Sequence, residues 1–296
     1  MLRTRHLLLA SAPLLAALLI SGTAAAAGKA LRVNGSTTVN PVVVEAAELL
    51  RAEKGLQIVV DTQGGSSGGI AALGDGRAEI AMISRPLEDE DSKRYPKIRF
   101  TATRIGTDGV ALVVHSDVWK AGVHALTKDQ VQAIYEGRIA NWKQVGGPDR
   151  RIVFFNKEPG RGTWEVFARW LYGDPKKAPL VNLPEVGANE EGRNKVAATP
   201  GGMSQLSASW ADGKTVFALG VKVEGNKVVD PSPANIGNGS YPLARPLNVV
   251  TDGPPAGDAK TLIDFVTGPR GQALVAKHGY LTLSATAPAS KRGAGR

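Results

Sequence analysis

The stretch Asn34-Gly35-Ser36-Thr37-Thr38-Val39-Asn40-Pro41 lies between a short apolar segment, residues 30–33, and an apolar-periodic segment, residues 42–50. This pattern predicts a strand that passes into a helix, with hydroxyl side chains at the helix N-terminus. Unpaired backbone N–H groups and the positive end of the helix dipole attract anions there. Two interpretations stay open at this point: Ser36, Thr37 and Thr38 cap the helix, or they contact an anionic ligand.

The same arrangement recurs after the next predicted strand, residues 57–60. A glycine- and serine-rich loop follows at residues 64–69, and a helical pattern resumes at residues 70–73. Its glycines permit close backbone approach to a ligand, and Ser66 and Ser67 supply hydroxyl donors. A flexible glycine turn is the alternative interpretation.

A third loop carries two cations. The predicted strand at residues 151–155 leads into Asn156-Lys157-Glu158-Pro159-Gly160-Arg161-Gly162-Thr163, and a helix is predicted from Trp164. Glu158 is a candidate partner for Lys157 or Arg161, and an exposed loop pair is the alternative to a ligand contact.

Ser84-Arg85-Pro86 ends another predicted strand, residues 79–83. Ligands of open α/β sheets bind outside the carboxyl ends of the strands. The guanidinium of Arg85 can there hold an oxyanion with two hydrogen bonds. A surface arginine paired with Glu88 or Asp89 is the alternative.

The rest of the chain continues the alternation of strands and helices. An apolar strand is predicted at residues 109–115, helical and turn structure at residues 189–211, and a hairpin at residues 216–229. Trp142 is predicted to lie in the core. The alternation indicates an α/β architecture with mostly parallel sheets.

The charge of the chain suits a small anionic ligand. The formal net charge is +9 over 296 residues, and setting aside five cations of the two ends (Arg3, Arg5, Lys291, Arg292 and Arg296) leaves +4. Basic runs interleaved with aromatic residues do not occur, so a nucleic-acid surface is not expected.

The N-terminus predicts export. Basic residues precede the apolar run 7–20, and small residues at 24–27 offer a cleavage site, which is typical of a Sec-type signal peptide over residues 1–27. An uncleaved anchor is the alternative. The chain has no cysteine, so a lipid-anchored cysteine and disulfides are excluded. We expect a periplasmic protein with a disordered basic tail at residues 285–296.

Four stretches together resemble the PstS family, the periplasmic phosphate-binding proteins of ABC transporters. They are residues 35–41, the loop 65–69 with Ile83-Ser84-Arg85, residues 126–147, and Ser240-Tyr241-Pro242-Leu243 with Arg245-Pro246-Leu247. The resemblance implies a type II solute-binding fold: two α/β lobes, a two-segment hinge and a ligand in the inter-lobe cleft. Lobe 1 is expected at residues 28–115 and 246–284, and lobe 2 at residues 116–245.

The resemblance also implies which residues bind the ligand. These are Ser36, Thr37, Thr38, Ser66, Ser67, Ser84, Arg85, Lys157, Arg161, Gly162 and Thr163. The third loop departs from the family pattern, which has arginine where this chain has Lys157 and serine where it has Arg161. Lysine keeps a point charge without the planar fork, which Arg161 can supply from another position.

Some relatives use an aspartate to accept the proton of hydrogen phosphate, which excludes sulfate. In this chain Arg85 stands directly beside Ser84, and Asp61 and Glu158 are the nearest acidic candidates by sequence. An acid that meets an unprotonated oxygen repels it, so such a residue would act by rejecting the wrong anion.

The resemblance implies a monomer that captures inorganic phosphate for an inner-membrane ABC permease, without cofactor, metal, catalysis or nucleic acid. Sulfate, molybdate or tungstate is the alternative ligand. A phosphate-ester hydrolase is a second alternative, but His6, His115, His124 and His278 have no metal-ligand spacing. A surface adhesion or scaffold protein, supported only by the basic tail, is a third.

Overall fold

The computed structural model describes residues 29–286, so the predicted signal peptide and nearly all of the predicted tail lie outside the described residues. Eleven strands and ten α-helices occur within this range, with short 3₁₀ turns between them. In chain order they are β1 (Leu31–Gly35), α1 (Asn40–Lys54), β2 (Ile58–Asp61), α2 (Gly65–Gly74), β3 (Ile80–Ile83), α3 (Asp89–Arg94), β4 (Phe100–His115), α4 (Ser116–Lys120), β5 (Ala125–Thr127), α5 (Lys128–Tyr135), β6 (Val153–Lys157), α6 (Gly162–Tyr172), β7 (Glu185–Val186), α7 (Asn189–Ala198), β8 (Gly202–Ser207), β9 (Val216–Lys222), β10 (Val228–Val229), α8 (Pro233–Gly237), β11 (Ala244–Asp252), α9 (Gly257–Thr267) and α10 (Pro269–Lys277).

The first sheet has the strand order β2-β1-β3-β11-β4. β1 runs parallel to β2 and β3, whereas β11 is antiparallel to both β3 and β4. The apolar faces of α1, α9 and α10 pack on this sheet around buried residues such as Val42, Ile80 and Leu262. α2 packs against β3 through Ile70 and Leu73.

Strand β4 belongs to both sheets. Residues from Phe100 to Gly109 pair with β11, and residues from Val110 to His115 pair with β8 and β9. At the point of change, the Val110 N–H donates to the Leu243 carbonyl at 2.9 Å, just before β11 begins. The strands therefore change partners between Gly109 and Val110, while the predicted domain division at residues 115 and 245 stays a prediction.

The second sheet surrounds the larger core. β8 lies between β4 and β6, and β9 pairs with β4, β5 and β10. Trp142 is fully buried here and its Nε1 donates to the Gly201 carbonyl at 2.9 Å. The prediction that Trp142 is a core residue is confirmed.

Two local predictions are wrong. Residues 202–207 form the central strand β8 instead of continuing helical and turn structure. The polar residues of this strand are buried and hydrogen-bonded, so its sequence lacks the apolar pattern of a buried strand. Ser204 Oγ donates to the Phe155 carbonyl at 2.7 Å, and Gln205 Nε2 donates to Asn156 Oδ1 at 2.7 Å. The sheets are also mixed rather than mostly parallel, because β4 and β11 run antiparallel side by side.

Helix α2 begins earlier than predicted, at Gly65, so Ser66 and Ser67 lie in its first turn. Strand β6 extends to Lys157, which places that lysine on a strand end rather than in a loop. In the part of the chain that the structure describes, no helix is long and apolar enough to cross a membrane. The α/β fold class is confirmed.

Candidate functional site

The helix N-termini predicted from sequence come together, and a fourth joins them. The Ser67 N–H at the start of α2 donates to the Gly160 carbonyl, just before α6, at 3.0 Å. Asn189 begins α7, and its Nδ2 donates to Thr38 Oγ1, just before α1, at 2.9 Å. The starts of α1, α2, α6 and α7 thus converge, and their dipoles favour negative charge between them.

Arg245, at the start of β11, is the hub of this region. Its side chain is fully buried. Nη1 donates to Thr163 Oγ1 at 2.9 Å and to Ser84 Oγ at 3.3 Å, and Nη2 donates to Thr38 Oγ1 at 3.2 Å. Nε and Nη2 also donate to Asp108 Oδ2, at 3.0 and 2.7 Å. One guanidinium therefore holds hydroxyls that follow β1, β3 and β6.

These contacts set the direction in which the hydroxyls donate. Arginine has only donors, so Thr38, Ser84 and Thr163 must accept from it. Each hydroxyl hydrogen then points away from the guanidinium and needs an acceptor of its own. An oxyanion offers several acceptor oxygens at once and can accept from all three hydroxyls. We call the group formed by Thr38, Ser84, Thr163 and Arg245 the hydroxyl cluster.

Three other predicted site residues, Ser36, Ser66 and Thr37, form no hydrogen bond with Arg245 in the described part of the chain. Ser36 Oγ accepts from the backbone N–H groups of Thr38 and Val39, at 3.1 and 3.4 Å, in the turn before α1. It does not cap the helix, and its own hydrogen can donate to another acceptor. Ser66 Oγ, fully buried, accepts from the Ser84 N–H at 3.1 Å. Thr37 is half-buried, and its side chain has no hydrogen bond within residues 29–286.

Gly162 lets α6 approach the other loops. A Cβ at this position would lie 2.4 Å from Ser66 Oγ and 2.8 Å from Ser84 Oγ. Such distances are far below van der Waals contact, so any larger residue would push α6 away from these serines. Glycine is therefore required where the α6 N-terminus joins the hydroxyl cluster.

Lys157 is a buried cation without a carboxylate partner. It is 1% exposed, and its Nζ donates to the Gly187 carbonyl at 2.8 Å. No ion pair of Lys157 occurs among the described residues. Burial, together with the charges of Arg161 and Arg245, lowers the pKa of Lys157 to about 7. A buried cation that lacks a counter-charge favours a bound anion.

Arg161 is held by partners of its own. Its Nε and Nη2 donate to Glu158 Oε2 at 2.9 and 2.7 Å, and its Nη1 donates to the Thr62 carbonyl at 3.2 Å. The predicted pairing of Glu158 with one of the two loop cations is thus with Arg161. Lys157 points into the protein, whereas the charge of Arg161 is neutralised nearer the surface.

The two acidic candidates are engaged elsewhere. Asp61 accepts from Asn34 Nδ2 at 3.0 Å and from the Thr62 N–H at 2.7 Å, and Glu158 pairs with Arg161. The buried acid that touches the hydroxyl cluster is Asp108, which is 3% exposed. Sequence reasoning missed it, as it missed the roles of Arg245 and Asn189.

Arg85 and Ser67 do not join the hydroxyl cluster through their side chains. Arg85 donates to both oxygens of Asp91, at 2.7 and 2.9 Å, and its Nε donates to Glu165. Ser67 Oγ donates to the other oxygen of Glu165 at 2.8 Å. The alternative of a surface arginine paired with Glu88 or Asp89 is wrong, because Arg85 is buried and its carboxylate partners are Asp91 and Glu165.

The sheets joined through β4 bring these four helix N-termini to one place. The chain matches the family model described as "PBP superfamily domain" over residues 21–270, and it belongs to that family. The family predicted from sequence is confirmed, and within it the chain is similar to the phosphate-binding proteins named PstS. It is 28% identical to the PstS of Bacillus subtilis over 262 residues, which cover 87% of this chain and 82% of the relative.

Solved structures give the same relationship. A protein of Clostridium perfringens, described as a phosphate ABC transporter substrate-binding protein with bound phosphate, is 30% identical, with a TM-score of 0.74. The alignment covers 86% of this chain and 100% of that one. An ABC-type phosphate transport receptor from Vibrio cholerae is 27% identical, with a TM-score of 0.68 over 85% of this chain and 99% of that one. The predicted two-lobed binding-protein fold is confirmed.

Proposed function

We propose that this protein captures inorganic phosphate outside the cytoplasm and delivers it to an ABC importer. In this role it binds and releases the anion unchanged, as a monomer without a cofactor. The relatives named for phosphate binding and phosphate transport support this assignment. The predicted signal peptide supports export across the inner membrane to the periplasm.

The observation that carries the proposal is the combination of Arg245 with Lys157. Arg245 directs three hydroxyls so that each has a hydrogen to donate. Lys157 supplies a buried positive charge that lacks a carboxylate among the described residues. A tetrahedral oxyanion satisfies both needs, because its oxygens accept several hydrogen bonds and its charge offsets the ammonium.

The strand pairing supports closure around the anion. Thr38 and Ser84 follow strands of the first sheet, and Thr163 follows β6 of the second. An anion bound by all three hydroxyls would link the two lobes. We propose two hinge segments. One lies at Gly109 and Val110, where β4 changes partners, and the other lies at Ala244, where β11 begins.

Titration calorimetry on refolded, ligand-stripped protein tests the proposal. We expect phosphate to bind with a dissociation constant in the micromolar range or tighter, since each charge-assisted hydrogen bond contributes about 1.5–3 kcal/mol. The matched control is Thr261→Val, a threonine of α9 outside the site, which should bind like the parent.

Sulfate and molybdate titrations belong to the same experiment. Heat with either of these anions and none with phosphate would overturn the phosphate assignment and leave the oxyanion site in place. No heat with any of the three would overturn the site itself. Release of phosphate from a chromogenic phosphate ester would contradict binding without catalysis.

A further inference from the structure

Glu165, on the first turns of α6, reaches across to the first sheet's side of the cleft. Its Oε1 accepts from Ser67 Oγ of α2 at 2.8 Å, and its Oε2 accepts from Arg85 Nε, just after β3. The side chain of Arg85 is 4% exposed and that of Glu165 is 16% exposed. The carboxylate of Glu165, which lies beside the second sheet, is thus bonded through both oxygens to residues beside the first sheet.

Arg85 also has partners on its own side of the cleft. Its Nη1 and Nη2 bond both oxygens of Asp91, and its Nη1 also donates to the Pro86 carbonyl at 2.9 Å. All of these partners belong to the segment between β3 and β4. These contacts fix the direction of the Arg85 Nε–H bond. Forming the contact with Glu165 therefore costs little conformational entropy beyond that of the Glu165 side chain.

Two other ion pairs join the same two sides of the cleft, but they are exposed to solvent. Arg169 pairs with Glu88 at side-chain exposures of 45% and 30%, and Lys176 pairs with Glu90 at 69% and 55%. Exposed pairs contribute little to stability because water and salt screen them. The buried Glu165 contacts are the stronger link.

We propose that Glu165 is a positioning residue that latches the closed cleft without touching the anion. The Glu165 latch consists of Glu165, Ser67 and Arg85. In this proposal, Ser67 and Arg85 stabilise the closed cleft and do not contact the ligand. The inference rests on the proposed phosphate function and adds to it a determinant of affinity remote from the bound oxygens.

The latch acts through the population of the closed state. Phosphate enters the open cleft, and the affinity then rises by the factor by which the closed, bound form is favoured over the open, bound form. Contacts made in the closed form alone raise that factor and slow reopening. Their removal should therefore raise the rate of phosphate release and leave the association rate nearly unchanged.

The first experiment measures phosphate association and release by stopped flow for the parent chain, Glu165→Gln and Ser67→Ala. Glu165→Gln keeps the shape and removes the charge, and we expect about tenfold weaker phosphate binding, mostly through faster release. Asp264→Asn is the matched control, because Asp264 is exposed and pairs with Lys260 within α9. It should leave both rates unchanged.

The second measurement follows closure directly by pulsed electron paramagnetic resonance. The chain has no cysteine, so cysteines introduced at the exposed positions Lys54 and Lys128 give two unique spin-label sites, one beside each sheet. We expect Glu165→Gln without phosphate to populate a second, open inter-label distance more than the parent chain does. Saturating phosphate should restore the parent distance.

Equal release rates and equal distance distributions in the parent chain and Glu165→Gln would overturn the latch. If Glu165→Gln does not fold, Ser67→Ala removes one latch contact from a smaller side chain, and unchanged release in that variant would overturn it too. Failure of the parent chain to bind phosphate would instead overturn the proposed function. The distance measurement without phosphate remains decisive for the latch in that case.

Discussion

Arg245 and Asp108 face each other across β11 and β4, and two nitrogens of the arginine donate to one oxygen, Asp108 Oδ2. This pair lies one residue before β4 changes partners. Both side chains are almost completely buried, at 0% and 2% exposure. The ion pair turns the guanidinium so that Nη1 and Nη2 reach the hydroxyls of both sheets.

Replacement of Arg245 should destabilise the protein strongly. Arg245→Gln leaves Asp108 charged and buried without its partner, and we expect a loss of about 3–5 kcal/mol in the free energy of unfolding. Urea denaturation at neutral pH measures it. Arg270→Gln breaks an exposed pair with Glu53, which solvent screens, and should lower the free energy of unfolding far less. Similar losses in the two variants would contradict the role of the buried pair.

Removal of one directed hydroxyl should weaken phosphate binding without unfolding the protein. Thr163→Val keeps the shape of the side chain and deletes the donor that Arg245 orients. A lost hydrogen bond to a charged ligand costs about 1.5–3 kcal/mol, or roughly tenfold to a hundredfold in affinity. Calorimetric titration compares it with Thr261→Val, and unchanged phosphate affinity would exclude Thr163 from the site.

The ligand-free protein should become more stable when the buried cation is removed. Burial lowers the pKa of Lys157 from 10.5 to about 7, so the folded protein binds fewer protons than the unfolded chain between those values. The free energy of unfolding contributed by this group therefore rises with pH across that window, and the cost of burial is largest below pH 7. Lys157→Met should stabilise by about 2–4 kcal/mol at pH 6.5.

Urea denaturation without phosphate at pH 6.5 and at pH 10 measures this effect. The gain of Lys157→Met over the parent chain should shrink at pH 10, because the folded parent no longer carries the buried charge there. The same variant should bind phosphate more weakly. A parent chain that is more stable than Lys157→Met at pH 6.5 would refute the buried, unpaired cation.

Phosphate binding should take up a proton above pH 7. A bound anion favours the charged form of Lys157 and raises its pKa, so the affinity should fall as pH rises from 7 towards 9, approaching tenfold per unit at most. Titrations in buffers of different ionisation enthalpy count the protons. Lys157→Met experiences the same ionisation of phosphate, so the difference between the two proteins isolates the lysine. Identical pH profiles would contradict the assignment.

Local patterns were enough to predict the helix starts. A strand, a run of small or hydroxyl residues and an apolar helical period lie within about fifteen residues of each other, so Ser36, Ser66 and Thr163 could be placed at N-termini from the sequence. Their convergence is expected from the two-lobed fold that the family resemblance implies, because β6 is not a neighbour of β1 or β3.

Partners that depend on distant strands could not be predicted in this way. Glu165, one of the two carboxylate partners of Arg85, is 80 positions away, so local sequence could not reveal that contact. Arg245 and Asp108 are 137 positions apart and meet only through the register of β11 on β4. β8 was missed because the buried Ser204 and Gln205 resemble the polar residues of a loop.

The position of β11 constrains the order in which the two sheets can be completed. β11 follows every other strand in the chain, yet it lies between β3 and β4 in the first sheet. Until β11 has joined them, β3 and β4 each keep an unpaired edge, which is prone to aggregate. The second sheet, whose strands end by Val229, can form before β11 is in place. The first sheet, which contains β1, is therefore the last to be completed.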